Sequence, residues 1–362
     1  MEKEKQNRTP IFSVLKDVYA KREVLPFHVP GHKNGKGVEK DFYEFMGPNP
    51  FKIDVTIFDL VDGLHNPKSH IKEAQELAAE AFGAEKTLFC VHGTSGAIQA
   101  MIIASVKAGE KILVPRNTHK SINAGIVLSG CIPIYMQPDI DKDLGIAHGV
   151  SPETVARTLE EHPDAAAVLV INPTYYGVAS DLQKIAEIVH EYDIPLLVDE
   201  AHGPHLKFSE QLPKCAMEAG ADICCQSTHK LTGAMTQGSM LHMQGNRVNH
   251  NHVKQCLSLL QTTSPNYILL ASLDTTRKQL ATEGDKLINY SISLAQSFRE
   301  RINKIPGFYS FGEEVLDGKG RFGFDPTKVT VTAKDLGLHG YELDKILIEK
   351  YKKPNSKEWF FD

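Results

Sequence analysis

Between about residues 66 and 245 short apolar runs alternate with helical patterns, and this alternation limits the chain's fold more than any other feature. The runs at 87–91, 111–114, 132–135, 167–171, 195–198, 223–226 and 239–242 have strand length and are apolar along much of their length. Helical patterns fall between them at 71–82, 96–107, 119–129, 152–161 and 182–191. The last has Ser180 and Gln183 in capping-box positions and Ile185, Ile188 and Val189 on one face. Strands this apolar need cover on both sides, so the expected fold class is α/β, with a mainly parallel central sheet between helical layers.

The flanks read differently. Residues 9–24 suggest an amphipathic helix, and 26–67 are rich in Gly, Pro and aromatics without a clear period, as expected of a functional segment or an oligomer arm. A long helical pattern covers about 264–302, followed by one strand pattern at 329–332 and one helix at 341–350. The expected division is an N-terminal helix and irregular arm at 1–65, a large α/β domain at 66–262, a linking helix at 263–303 and a partial C-terminal lobe at 304–362. One strand and one helix do not close a core by themselves.

Composition narrows the function classes. A chain of 362 residues, 41% hydrophobic, can bury one large core and a smaller lobe. A net charge of −5 and a pI near 6.4 argue against nucleic acid or an anionic membrane as partner. The opening Met1-Glu2-Lys3-Glu4-Lys5 has no apolar core of a secretory leader, and no run nears the roughly 18 apolar residues that span a bilayer. A cytoplasmic protein is the expectation. Cys90, Cys131, Cys215, Cys224, Cys225 and Cys256 lie in apolar segments without C-x-x-C pairing and read as buried free thiols. His202 with His205, and His250 with His252, lack acidic or thiol companions at ligand spacing, so no metal is expected.

Two strand ends carry the chemistry. The run Ile194-Pro195-Leu196-Leu197-Val198 ends in Asp199-Glu200-Ala201-His202-Gly203, and the run Ala221-Asp222-Ile223-Cys224-Cys225 leads into Ser227-Thr228-His229-Lys230. On neighbouring parallel strands both charged groups emerge at the carboxyl edge, where open α/β sheets bind ligands. A lysine that can form a Schiff base and an aspartate that can keep a pyridine nitrogen protonated are what pyridoxal phosphate (PLP) requires. An ordinary strand-end Asp and a solvated Lys are the bland alternative.

Gly93-Thr94-Ser95-Gly96 lies between the first strand and a helix and offers hydroxyls and backbone N–H groups to a phosphate, although such a turn is often plain capping. Thr-His-Lys occurs twice, at 118–120 and 228–230. Lys120 falls in the first turn of a helix, whereas Lys230 follows a strand and precedes the small-residue loop Thr232-Gly233-Ala234, so Lys230 is the preferred Schiff-base lysine. His119 is then placed to stack on the pyridine ring, with a histidine cap of the following helix as the alternative.

These segments, with Pro30-Gly31-His32-Lys33 and Arg116-Asn117-Thr118-His119-Lys120-Ser121, resemble the bacterial ornithine/lysine/arginine decarboxylases from about residue 10 to 345. Asn172-Pro173-Thr174-Tyr175-Tyr176-Gly177-Val178 and Leu269-Leu270-Ala271-Ser272-Leu273-Asp274 are most similar to the shorter arginine decarboxylases. The resemblance implies a fold-type-I PLP enzyme, a homodimer or larger, acting on a small basic amino acid, most simply arginine to agmatine and carbon dioxide in polyamine biosynthesis. It implies that Lys230 holds the cofactor, Asp199 pairs with the pyridine nitrogen and His119 stacks. Thr94, Ser95, Ser227 and His229 would surround the phosphate, and Ala201 and His202 would pack near the ring. The Pro30–Lys33 loop would lie near an active site, and acidic or aromatic residues of 41–62 would serve the substrate's cationic tail. The likeness fades from Lys352 onward, where a truncation or frame change is expected. Lysine or ornithine decarboxylation, another PLP reaction, and a PLP-binding remnant with little activity are the alternatives.

Overall fold

The computed structural model describes residues 2–22, 25–57, 61–317 and 320–351. Seven strands form the central sheet: β1 (Lys86–Cys90), β2 (Lys111–Pro115), β3 (Ile132–Met136), β4 (Ala165–Ile171), β5 (Leu196–Asp199), β6 (Ile223–Gln226) and β7 (Ser239–Met243). Their order is β1-β7-β6-β5-β4-β2-β3. The steps β3-β2-β4-β5-β6 are parallel, while β7 runs against both β6 and β1. Two reversals restore direction, so β1 points the same way as β6. The carboxyl ends of β1, β2, β4, β5 and β6 therefore meet at one edge, together with the start of β7.

Period-two alternation divides the core. Ala167, Leu169 and Leu197 pack with helices Gly93–Ser105, Lys120–Ser129 and His250–Leu260, whereas Val168, Val170, Leu196 and Val198 pack with Pro152–Glu161 and Leu182–Glu191. Neighbouring residues thus serve opposite layers, which is why the runs read as continuously apolar. All six cysteines are buried and unpaired.

A third cluster joins Ile11, Leu15, Ile71, Phe82, Tyr267 and Leu270 and seats the N-terminal segment on the 36-residue helix Tyr267–Ile302. The leading helix is α-helical over Pro10–Val14 and π-helical over Leu15–Tyr19. Its first N–H groups are capped from afar, Asp274 Oδ2 accepting from Ile11 at 2.9 Å and Phe12 at 3.3 Å.

Several local expectations change. Asp181 rather than Ser180 caps Leu182–Glu191, accepting from Lys184 N–H at 3.1 Å, while Ser180 N–H, which a capping box would pair with Gln183, donates to Asn172 Oδ1 at 2.8 Å. The 26–67 segment contains two short helices, Lys40–Met46 and Pro48–Ile53, and a 3-10 turn at Lys33–Gly35. No strand forms at 329–332. Thr332 makes an isolated bridge to Tyr309, and the carbonyls of Pro326 and Lys328 just upstream accept from Arg299 instead of from a partner strand. Helix Gly93–Ser105 starts three residues early, so the Gly-Thr-Ser-Gly segment is its first turn. The expected break beyond residue 352 lies outside the described residues. Among those described, no helix is long and apolar enough to cross a membrane.

Candidate active site

A cavity of about 670 Å³ opens at the shared strand edge, lined by residues that follow β1, β2, β4, β5 and β6 and by Thr236 and Gln237 ahead of β7. A depression of about 770 Å³ near Lys207, Glu210 and Asp285 lies away from every strand end, so position rather than volume singles out the first. Lys230, Asp199, His119, Thr94, Ser95, Ala201, His202, Ser227 and His229 all line that one cavity.

Parallel register sets Asp199 against Cys225, one strand over from the turn that carries Lys230. Asp199 is 4% exposed, and its Oδ1 accepts from Ala201 N–H at 3.1 Å. Burial pushes its pKa up to about 6, against the pull of that N–H and of the Lys230 charge. Lys230 lies in the short helix Thr228–Leu231 with its amine 3.2 Å from His202 Nε2. Desolvation by the surrounding protein lowers the Lys230 pKa, and Asp199 partly restores it. Lys120 also reaches the cavity, as the first residue of helix Lys120–Ser129.

His119 caps that helix, its Nδ1 accepting from Ser121 N–H at 3.2 Å. The cap uses Nδ1 at the ring edge and His119 also lines the cavity, so capping does not preclude stacking. Burial, then the charges of Lys230 and Lys120, lower its pKa and favour the neutral ring.

Hydroxyl protons can be traced across the phosphate turn. Ser239 donates to Gln226 O at 2.7 Å, so Thr94 must donate to Ser239 at 2.8 Å, and Ser227 to Thr94 at 2.6 Å. In this arrangement Thr94 and Ser227 brace the turn, which leaves the Ser95 hydroxyl and the first-turn N–H groups to meet an anion. Gly93 has φ +66° and open space where a Cβ would stand, and its N–H bonds the Gln237 carbonyl at 3.0 Å. His229 Nδ1 donates to Gly238 O at 2.9 Å, so a second N–H from this ring requires protonation.

Sequence reasoning gave no site role to Asn117, Thr174, Tyr175, Tyr176 or Gln237, which also line the cavity. Gln237 has φ +79°, a backbone conformation invisible in its residue type. Tyr175 meets His202 edge-on, with ring centroids 5.2 Å apart. The Pro30–Lys33 loop does not line this cavity. Asp54 bonds His32 at 3.2 Å, and Asp62 accepts N–H groups at the start of helix His70–Phe82, so both are engaged elsewhere.

The chain is 50% identical over 346 residues to an arginine decarboxylase of Bacillus subtilis, covering 96% of this chain and 70% of that one. It is 32% identical over 309 residues to the inducible lysine decarboxylase of Escherichia coli K12, covering 79% of this chain and 42% of that one. The solved lysine decarboxylase A of Pseudomonas aeruginosa superposes with a TM-score of 0.81 at 25% identity, over 96% of this chain and 55% of that one. The chain thus spans about half the length of these lysine decarboxylases. The model for the major domain of Orn/Lys/Arg decarboxylases matches residues 9–350, and the chain belongs to that family.

Proposed function

We propose that this chain decarboxylates a basic amino acid with pyridoxal phosphate, arginine in preference to lysine or ornithine, releasing agmatine and carbon dioxide. The observation that carries this reading is the convergence of the Asp199 carboxyl, the Lys230 amine and the Gly93 turn on one cavity. The 50% identity to an enzyme named arginine decarboxylase favours arginine, against 32% for one named lysine decarboxylase.

The donor set suits a phosphorylated pyridine aldehyde. Asp199 is a buried carboxyl whose pKa of about 6 makes ionisation costly until a cation is brought to it, and a protonated ring nitrogen is such a cation. The Gly93 turn borders the cavity with open space where a Cβ would stand, and its helix start offers N–H groups that would meet a phosphate. When bound, the cofactor supplies an electron sink for the pair left on the substrate carbon as carbon dioxide departs.

The chain's own side chains do the rest. Lys230, whose amine reaches the cavity, would hold the cofactor through its aldehyde carbon. Asp199 would keep a proton on the ring nitrogen. His119 would stack on the ring, Ala201 and His202 would pack close to it, and Ser95, Ser227, Thr94 and His229 would surround the phosphate. Ile98 and Ile171 give the cavity apolar walls that limit water. Among the described residues lining the cavity Asp199 is the one carboxylate, so the substrate's cationic tail needs an acid from beyond them. A homodimer or larger assembly that completes the pocket satisfies this need.

Purified protein incubated with PLP and separately with arginine, lysine and ornithine tests the reading. Agmatine from arginine is expected, together with a visible absorption band that Lys230→Ala abolishes. Cadaverine or putrescine as the main product would move the assignment to lysine or ornithine. A band without any amine would mean a cofactor-binding remnant, and the lack of a band would overturn the site.

A further inference from the structure

His202 lies between two lysines. Lys230 Nζ is 3.2 Å from its Nε2, and Lys328 Nζ is 3.3 Å from its Nδ1. Lys328 does not line the cavity; it approaches His202 from behind.

The segment that brings Lys328 there is held at several points. Asp325 is buried and bonds His205 Nε2 at 2.9 Å, while its Oδ1 accepts from Thr327 N–H at 3.0 Å and from the Thr327 hydroxyl at 2.6 Å. Arg299, near the end of helix Tyr267–Ile302, donates to Lys328 O at 2.7 Å and to Pro326 O at 3.3 Å. The Lys328 stem lies over Gly177, where an added Cβ would sit 2.6 Å from Lys328 Cγ. Thus His205 and His202, three residues apart, fasten opposite ends of one short turn.

Donor chemistry then decides the state of His202. An ammonium group only donates, and a neutral imidazole has one N–H and one lone pair. We propose that the Lys328 ammonium fixes His202 in the neutral tautomer protonated on Nε2, so that the ring presents an N–H to the Lys230 nitrogen. This favours the uncharged, nucleophilic form of Lys230, whereas the other tautomer would offer a lone pair and favour the ammonium. Lys328 is a positioning residue acting through His202.

The surrounding charges agree with this arrangement. Burial, then Lys328 and Lys230, push the His202 pKa down to about 2, so the ring is neutral at working pH. Burial lowers the Lys328 pKa to about 8, with Asp325 raising it and Lys230 lowering it, so Lys328 remains an ammonium at neutral pH.

The inference rests on Lys230 as the amine that takes the cofactor, yet the tautomer can be read without cofactor. Nitrogen-15 spectra of histidine-labelled protein, with the His202 signals assigned by their loss in His202→Asn, should show the proton on Nε2 in the parent and in Lys328→Arg. Lys328→Met should give a mixture of tautomers. After PLP addition, the pH midpoint of the visible band in Lys328→Met should rise by about one unit. Lys328→Gln, which keeps a neutral donor, should retain more of the parent tautomer than Lys328→Met. A proton on Nδ1 in the parent, or a Lys328→Met protein unchanged in both tautomer and midpoint, would overturn the inference. A parent protein without a visible band would overturn the cofactor reading instead, and the nitrogen-15 result would still decide the tautomer.

Discussion

Asp274 and Asp199 are both almost sealed from water, and the chain around them treats them in opposite ways. Asp274 receives N–H groups from Ile11 and Phe12 on one oxygen and Arg277 Nη2 on the other, at 2.8 Å. Arg277 in turn donates to the Gln6 and Arg8 carbonyls. Asp199 receives one N–H from two residues ahead and otherwise faces a cavity and a lysine. Burial raises the pKa of both, but only Asp274 is given a full complement of partners from within the chain. A buried charge completed by the protein holds the fold, whereas one left short of partners is held ready for a ligand.

The contrast is most sharply broken at Lys230. Lys230→Ala should remove the visible band and lower decarboxylation by more than about 10⁴-fold, equivalent to about 5.5 kcal/mol, while the urea midpoint stays near that of the parent. Arg277→Met should do the reverse. Stranding Asp274 in the core should cost about 3–5 kcal/mol of stability in urea unfolding, with the turnover of the folded fraction unchanged.

A subtler test compares stability across pH. A carboxyl whose folded pKa is raised to about 6 from 3.8 favours the folded state in its protonated form, so its ionisation destabilises the cofactor-free protein above that pH. Asp199→Asn should therefore be more stable than the parent by up to about 3 kcal/mol at pH 8, and the gap should close as pH falls towards 4. Unfolding free energies of the two proteins at pH 4, 6 and 8 check this, and added PLP should shrink the gap. Smallest of all, Asp181→Ala should cost about 1 kcal/mol by thermal unfolding, through loss of a helix cap remote from both aspartates.

What could be read from sequence follows the same division between local and distant causes. The strands were legible because burial on both faces left unbroken apolar runs, and Asp199 and Lys230 because they punctuate two of those runs. His119, Thr94 and Ser227 followed from turn chemistry next to strand ends. Lys328 was not legible, since it reaches His202 through contacts with Asp325, Arg299 and Gly177 that have no local pattern. The helices Lys40–Met46 and Pro48–Ile53 are each too short to show a period. Val329-Thr330-Val331-Thr332 has strong β-propensity, yet its pairing stops at an isolated bridge between Thr332 and Tyr309, since propensity alone supplies no partner strand.

Helix Tyr267–Ile302 holds the N-terminal segment through Arg277 and the Lys328 turn through Arg299. These two residues stand about 33 Å apart along the axis at 1.5 Å per residue. Each residue also advances the helix by about 100°, so the rod sets angle as well as distance. Inserting a single alanine midway between them would swing Arg299 away from its carbonyls and slacken the turn behind His202, although no side chain in the cavity had been altered.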